Sequence, residues 1–259
     1  MSNRISFAAV FAVAVLATAA ANAQSMSEGA KAYKPFIVEH AGKALAGAKE
    51  LQAAVKAKDV KAAQDAWIKS RRGWEAMETV TADLFPEFDK AIDTWPDGKQ
   101  GYHAIEAALF AGKIDELAKP TDKLVADITR YQKKLSGYRF TPQKLLNGAS
   151  KLAFEVGESK SKGGESPYAK TSHIDMQENV EGIEAAWKLV FAPTLEKRDA
   201  ELAKIIHDKI EALEQLVKVN DIKDLDQKKL HVAGEELAAL MQQAAPKLKL
   251  KTTKLEDAD

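Results

Sequence analysis

Two short patterns place pairs of metal-ligating side chains one helical turn apart. They are Glu75-x-x-Glu78 and His103-x-x-Glu106. On a helix, positions i and i+3 are neighbours about 5–6 Å apart at Cβ, so the side chains of each pair can reach a common point. Three carboxylates and an imidazole from different helices of a bundle would form a mostly oxygen site, which suits iron or manganese. Further acids lie between the two pairs, among them Asp83, Glu87, Asp89 and Asp93.

The alternative for each pair is a solvated helix surface, because charged residues at helical spacing usually face water. The neighbouring residues favour a metal site instead. Glu75 lies between Trp74 and Met77, and His103 and Glu106 lie within GYHAIEAALF, where most other residues are apolar or small. A carboxylate on an apolar face has to be paired, protonated or bound to a metal.

The composition excludes several classes of protein. The 259 residues carry a formal net charge of zero and are 46% hydrophobic, which indicates a large core and argues against a basic nucleic-acid binder. The sequence contains no cysteine, so disulfides and thiolate metal ligands are excluded. We expect a monomer that binds no nucleic acid.

Residues 1–23 have the pattern of an export signal. Arg4 supplies a positive charge, residues 5–17 form an apolar run, and residues 21–23 (Ala-Asn-Ala) form a small-x-small cleavage site. The apolar run is short for a membrane-spanning helix. The sequence therefore predicts a mature protein, residues 24–259, that is secreted into the periplasm.

Helical periodicity continues through the mature chain, and no segment has the alternation of a strand. Seven or eight helices predict an all-α fold of two packed antiparallel bundles, at about 24–140 and 141–245, followed by a charged tail at 246–259. Residues 157–167 are polar and glycine-rich, which predicts an inter-helix loop or a domain junction.

Capping signals predict where several helices begin. Asp59, Thr121 and Thr141 each precede a helical pattern and have side chains that can accept a hydrogen bond from a free helix N–H. The helix that follows Asp59 is predicted to continue far enough to present both Glu75 and Glu78.

A second set of polar residues follows the glycine-rich segment. Asp175, Asn179 and Gly182 share one helix face, while Glu178 and Glu181 lie successively further round the helix. Glycine inside a helix costs about 1 kcal/mol relative to alanine, so this glycine is predicted to permit close helix packing.

Four segments, in this order and spacing, resemble the imelysin-like family, specifically its EfeO/EfeM branch of periplasmic iron-uptake proteins. They are W-E-x-x-E at 74–78, D-x-x-I-D at 89–93, GYHAIEAALF at 101–110 and QENVEG at 177–182. The resemblance covers almost all of residues 28–245. The chain departs from the family at Lys170, where members commonly have a histidine.

The resemblance implies two four-helix bundles in a pseudo-duplicated arrangement, with a metal site in the cleft between them. It also implies a site of Glu75, Glu78 and Asp93 from the first half and Glu181 from the second, with the H-x-x-E signature at His103 and Glu106. We expect the side chains of Glu75, Glu78, Asp93, His103 and Glu181 to converge on one site. Glu106 is either a ligand or a hydrogen-bond acceptor that orients the His103 imidazole.

The resemblance implies a carrier that captures iron, as Fe²⁺ or Fe³⁺, for an EfeU-type inner-membrane permease, with an EfeB-type haem peroxidase in the same system. Carboxylates favour hard cations, and the imidazole leaves zinc, copper and manganese open as alternatives. Longer family members carry an N-terminal cupredoxin-like domain, and this chain is similar to the short form.

Two alternative functions stay open at this point. The first is an imelysin-type metallopeptidase that uses H-x-x-E, although neither H-E-x-x-H nor H-x-x-E-H occurs, since Ala107 follows Glu106. The second is a non-catalytic module that binds an envelope polymer or protein partner. Three tryptophans are predicted to be core residues rather than a binding platform, namely Trp67, Trp74 and Trp187. Three isolated histidines are predicted to be surface or packing residues, namely His40, His207 and His231.

Overall fold

A computed structural model of the chain describes residues 7–81, 84–94, 100–162 and 164–255, with side chains described from Met26 onward. Asp83, the first six residues of the predicted export signal and the last four residues of the predicted tail lie outside the described residues. Across the described ranges the chain forms helices and turns without any strand, so the all-α prediction is confirmed.

Ten α-helices account for most of this part of the chain. They are α1 (Phe7–Ala57), α2 (Val60–Glu75), α3 (Pro86–Ile92), α4 (Gly101–Phe110), α5 (Ala118–Gly137), α6 (Pro142–Gly157), α7 (Ser172–Ala186), α8 (Ala192–Leu195), α9 (Ala200–Val217) and α10 (Gln227–Lys247). Over the described residues, none of these helices is long and apolar enough to cross a membrane.

The helices pack as two groups that share one long helix. α1 packs along α2 and α5, while α6 packs on α10 and α7 packs on both α6 and α9. α1 also contacts the π-helical turn Trp187–Phe191, and α2 contacts α7. Because α1 contacts both groups, the division into two bundles near residue 140 stays a prediction.

The core is continuous through both groups. Trp67, Trp74 and Trp187 are fully buried, as predicted. The Trp67 indole N–H donates to the carbonyl of Tyr102 at 3.1 Å, which ties α2 to α4. Burying an aromatic ring while satisfying its polar atom is the arrangement that core tryptophans favour.

Two of the three predicted caps are confirmed. The Asp59 side chain accepts the N–H of Ala62 at the start of α2, and the Thr141 side chain accepts that of Lys144 at the start of α6. Thr121 is different. It lies within α5, where its hydroxyl donates to the carbonyl of Leu117 at 2.8 Å, so the prediction that it caps the helix was wrong. Threonine can bond to the carbonyl four residues earlier as readily as to a free N–H.

Two further boundaries differ from expectation in ways that affect the site. α2 ends at Glu75, and Glu78 begins a separate 3₁₀ turn, Glu78–Val80, so the two glutamates do not share one helix as predicted. Residues 157–167 do connect α6 to α7, but the connection turns inward. Its 3₁₀ turn Lys160–Lys162 has Lys160 and Ser161 buried.

Candidate metal centre

In the interior, six carboxylates surround one guanidinium, one ammonium and one imidazole. We call this set the buried acidic cluster. Its carboxylates are Glu75, Glu78, Asp93, Glu106, Glu165 and Asp175. Its positively charged or basic members are Arg71, Lys160 and His103. The cluster is assembled by α2, α4, α7, the end of α3 and the turns that follow α2 and α6.

Arg71 holds one half of the cluster. Its guanidinium is fully buried, and Nη2 lies 2.8 Å from Glu75 Oε1 and 2.7 Å from Glu165 Oε2. Nη1 donates to Asp93, and Nε lies 3.5 Å from Asp175 Oδ2. A guanidinium stays charged and presents its donors in a rigid fork, so a single arginine can hold several carboxylates in fixed positions.

Lys160 holds the other half. Its ammonium is 2% exposed and lies 2.8 Å from Glu78 Oε2, 3.0 Å from Glu165 Oε1 and 3.6 Å from Glu75 Oε2. Burial opposes the charged ammonium, but these three carboxylates outweigh burial and hold the pKa of Lys160 well above its usual value. Glu75 and Glu165 each use one oxygen for Arg71 and the other for Lys160.

Asn179 of α7 completes this half. Its amide Nδ2 donates to Glu75 Oε2 at 2.9 Å and to Glu78 Oε2 at 2.7 Å. The residue is fully buried, and its carbonyl oxygen Oδ1 has no hydrogen-bond partner among the described residues. A buried amide oxygen without a donor is costly, and rotation of the amide would turn this oxygen towards the two carboxylates.

His103 lies at the opposite edge of the cluster, between two carboxylates. Its Nε2 lies 3.2 Å from Asp93 Oδ1, and its Nδ1 lies 3.8 Å from Glu106 Oε2. Burial disfavours the imidazolium, but hydrogen bonds to Asp93 and Glu106 outweigh burial and raise the pKa of His103 to about 9. The second oxygen of Glu106 accepts the backbone N–H groups of Tyr168 and Ala169 at 2.9 and 2.8 Å.

The negative charge of the cluster exceeds what its cations neutralise. Burial, reinforced by the neighbouring Glu75, raises the pKa of Glu78 well above its usual value. Burial likewise raises the pKa of Asp175 to about 7, although Arg71 opposes the increase. Uncompensated carboxylates in a poorly solvated site bind either protons or an added cation. The arrangement is therefore chemically suited to exchange protons for a metal ion.

Two glycines bring the backbone of α6 and α7 against the segment that carries Glu78. A Cβ atom at Gly148 would lie 1.9 Å from the carbonyl oxygen of Thr79, and one at Gly182 would lie 2.3 Å from that of Ala76. Real side chains do not approach backbone oxygen this closely, so only glycine fits. The prediction that Gly182 permits close helix packing is confirmed.

The structure brings five of the six predicted ligands into the buried acidic cluster and leaves one outside. Glu181 has a side chain 51% exposed, lies 3.8 Å from His40 Nε2, and lines a surface groove with Arg72 and Glu178. Asp175 and Asn179, on the neighbouring face of the same helix, point inward instead. The convergence of Glu75, Glu78, Asp93, His103 and Glu181 on one site stays a prediction.

Three residues that sequence reasoning did not single out are central to the cluster. The sequence does contain a signal for Arg71. It lies on the same helix face as Trp67 and Trp74, both apolar, so its side chain could have been predicted to be buried. Lys160 and Glu165 lie in the polar glycine-rich segment, and nothing in their local sequence distinguishes them from solvated residues.

A second group of ligand-type side chains lies at the protein surface. One ligand atom each from Glu158, His231 and Glu235 lies within 4.8 Å of the others. The His231 side chain is 42% exposed, and its Nδ1 lies 3.1 Å from the carbonyl oxygen of Gly157. This surface trio provides a second arrangement that could hold a cation, and metal-binding experiments have to distinguish it from the buried acidic cluster.

The chain matches a known protein family and several individual proteins. Residues 29–100 and 98–251 match the family model Peptidase_M75: Imelysin. The Efem/EfeO family lipoprotein of Staphylococcus haemolyticus is 32% identical over 206 residues, covering 76% of this chain and 71% of the lipoprotein. The iron uptake system component EfeO of Escherichia coli O157:H7 is 31% identical over 188 residues, covering 69% of this chain and 50% of EfeO. The chain thus spans about half the length of the EfeO protein it matches.

The fold also matches a solved structure. A Parabacteroides distasonis protein designated an iron-regulated protein A precursor superposes with a TM-score of 0.69 at 16% identity, covering 87% of this chain and 95% of that one. Identity this low supports a shared fold alone. The family model, by contrast, covers most of the chain, and the chain therefore belongs to the imelysin family.

Proposed function

We propose that this chain is a periplasmic metal-binding component of an iron-uptake system and that its cargo binds in the buried acidic cluster. The observation that carries the proposal is an excess of negative charge. Six carboxylates face one guanidinium, one ammonium and one imidazole. Relatives that are 31% and 32% identical are named as an iron uptake system component and an Efem/EfeO family lipoprotein, which supports an envelope role in iron uptake.

The donor set favours iron. Glu75, Glu78, Asp93 and Glu106 offer carboxylate oxygens and His103 offers one imidazole nitrogen, which suits Fe²⁺, Fe³⁺ or Mn²⁺ and leaves zinc and copper as competitors. The buried carbonyl oxygen of Asn179 supplies a further neutral ligand if its amide rotates. For Glu181, which is half exposed and lies outside the cluster, we expect a weaker contribution.

A carrier has to release its cargo, and the cluster contains competitors that make binding reversible. Protons compete for Glu78 and Asp175, whose pKa values burial has raised. The Lys160 ammonium lies 2.8 Å from Glu78 Oε2 and 3.6 Å from Glu75 Oε2, so a positive charge of the protein itself is next to two of the proposed ligands. We propose that the recipient is an EfeU-type permease in the inner membrane and that an EfeB-type haem peroxidase acts in the same system.

The peptidase alternative is less well supported by the site. A catalytic zinc ion needs three protein ligands and an open position for water. The buried acidic cluster contributes one imidazole, that of His103, whereas the zinc-peptidase motifs H-E-x-x-H and H-x-x-E-H each contribute two. The alternative of a polymer-binding module would require a row of exposed aromatic side chains, and within the described part of the chain Tyr168 is the exposed large aromatic residue.

The proposal is tested by calorimetric titration of the purified protein with Fe²⁺ under anaerobic conditions, and with Mn²⁺, Zn²⁺ and Cu²⁺. Glu78→Gln and His103→Ala should each weaken binding of about one equivalent by at least roughly tenfold, because each removes a ligand. His231→Ala, in the surface trio, is the matched control and should leave the affinity unchanged.

Three outcomes would count against the proposal. Absence of saturable binding to any of the four cations would refute the carrier function. If His231→Ala loses binding while Glu78→Gln and His103→Ala keep it, the cation binds at the surface trio instead of the buried acidic cluster. Incubation of the metal-loaded protein with a protein substrate should give no cleavage, and cleavage abolished by Glu106→Gln would favour the peptidase instead.

A further inference from the structure

The cation position in one half of the buried acidic cluster is already filled by the protein itself. The Lys160 ammonium lies within 3.6 Å of one carboxylate oxygen each from Glu75, Glu78 and Glu165. The positive charge comes from a connecting segment, while Glu75 and Glu78 come from the end of α2 and the turn after it. Three oxygens of different side chains around one positive charge resemble the first layer of ligands around a metal ion.

We propose that Lys160 is an internal competitor of the cargo, and that a cation binding to Glu75 and Glu78 displaces its ammonium from between these carboxylates. This inference rests on the proposed function and specifies how that site is controlled.

Displacement follows from the distances. A metal ion binds carboxylate oxygen at about 2.0–2.6 Å, and the Lys160 nitrogen lies 2.8 Å from the Glu78 oxygen that faces the site. Two positive charges between the same carboxylates repel each other strongly in a poorly solvated interior, so binding of the metal ion favours departure of the other charge.

Lys160 rather than Arg71 is the cation that can leave. Arg71 lies within α2 and contacts four carboxylates of the cluster, so its departure would break four ion pairs. Lys160 lies on a single 3₁₀ turn and has a long unbranched side chain, and Lys162 on the same turn is 70% exposed. Rotation about the lysine side chain or a small shift of the turn would bring its ammonium to solvent. Arg71 meanwhile keeps the other oxygens of Glu75 and Glu165 in place.

The segment between α6 and α7, which carries Lys160, also reaches the protein surface. Glu165 in this connection contacts Lys160, and the N–H groups of Tyr168 and Ala169 bind Glu106 of the H-x-x-E pair. Tyr168 itself is exposed. Loading the cluster therefore changes the contacts of a segment that a partner protein can touch, which gives the partner a means to distinguish the loaded from the empty protein.

The test compares Lys160→Met with Lys162→Met, which removes an exposed lysine two residues away. Calorimetry with Mn²⁺, a cation that is stable in air, should give at least roughly tenfold tighter binding for Lys160→Met, because the internal competitor is gone. The Lys162→Met affinity should equal that of the wild type. Unchanged or weaker binding by folded Lys160→Met would overturn the proposal.

A second measurement uses the wild-type protein and does not depend on the folding of a variant. Acetylation of lysines, read by peptide mass spectrometry, should leave Lys160 unmodified in the empty protein and modify it after Mn²⁺ loading. Protection of Lys160 in both states would overturn the inference. If neither the wild type nor Lys160→Met binds any cation, the proposed function fails as well. If the wild type binds and Glu78→Gln weakens that binding while Lys160 stays protected, only the inference fails.

Discussion

The Lys160 ammonium lies 2.8 Å from the Glu78 carboxylate, although 82 residues separate them in the sequence. This contact joins the turn after α6 to the turn after α2 and closes one side of the buried acidic cluster. Because neither residue lies within a regular α-helix, the position of both depends on how the helices on either side pack. The geometry of the whole site likewise depends on how the helices pack.

Arg71 should be essential for stability, while its neighbour Arg72 should not. Arg71→Met removes the guanidinium that contacts four carboxylates of the buried acidic cluster, and breaking a buried ion-pair network in this way costs about 3–5 kcal/mol. Arg72→Met removes a side chain that is 55% exposed and pairs with one carboxylate, that of Glu178, which should cost less than the loss of Arg71. Urea unfolding followed by circular dichroism measures both values. Similar losses for the two variants would contradict the assigned role of Arg71.

Gly182→Ala should destabilise the protein and weaken metal binding together. The added Cβ would lie 2.3 Å from the carbonyl oxygen of Ala76, so α7 or the segment leading to Glu78 has to move. We expect a loss of about 1–3 kcal/mol, the usual cost of overpacking, despite the better helix propensity of alanine.

Gly137→Ala is the control for this substitution, because nothing lies within 4 Å of a Cβ at that position. It should be neutral or stabilising by up to about 1 kcal/mol. Thermal unfolding and Mn²⁺ titration of both variants provide the comparison. A stable Gly182→Ala protein with unchanged affinity would refute the close contact.

The metal-free protein should lose stability as the pH rises from about 6.5 to 9. The pKa of His103 is raised from 6.5 to about 9, so the folded state holds this proton more tightly than the unfolded state does. That contribution is complete below pH 6.5 and disappears as the pH rises through about 9. Asp175, with a pKa raised from 3.8 to about 7, acts in the same direction at lower pH.

Unfolding temperatures measured in the presence of a chelator across this range test the prediction. The His103→Gln variant should show a smaller decrease between pH 7 and 9 than the wild type, because it has no imidazolium to lose. An unfolding temperature that stays constant or increases over that interval would contradict the assignment of a protonated His103.

Glu106→Gln should lower the pKa of His103 towards its ordinary value while leaving the fold intact. The amide keeps an oxygen that can accept the N–H groups of Tyr168 and Ala169 but removes the negative charge 3.8 Å from His103 Nδ1. An NMR titration of the imidazole resonances measures the change. Glu39→Gln, at an exposed position of α1, is the control and should leave the His103 titration unaltered. An unshifted pKa in Glu106→Gln would show that Asp93 alone holds the proton.

Much of the architecture could be predicted from local sequence. The helical periodicity, the caps at Asp59 and Thr141 and the buried tryptophans all follow from residues close together in the chain. The same local reasoning indicated that Glu75 and His103 would be buried, because their neighbours on the helix are apolar. Helix ends were harder to predict. At the break between Glu75 and Glu78, the backbone lies close to Gly148 and Gly182 of distant helices, and the local sequence does not reveal these contacts.

The sequence by itself thus determined an all-α protein with acidic side chains and a histidine on apolar helix faces. Only the tertiary structure decided which charges meet them. It placed Lys160 and Glu165 from a polar connection into the interior, and it turned Asp175 and Asn179 inward while leaving Glu181 exposed. The reason is physical. Secondary structure and burial tendency arise from neighbours in the chain, whereas the neutralisation of a buried charge depends on whichever opposite charge the packing brings within a few ångströms.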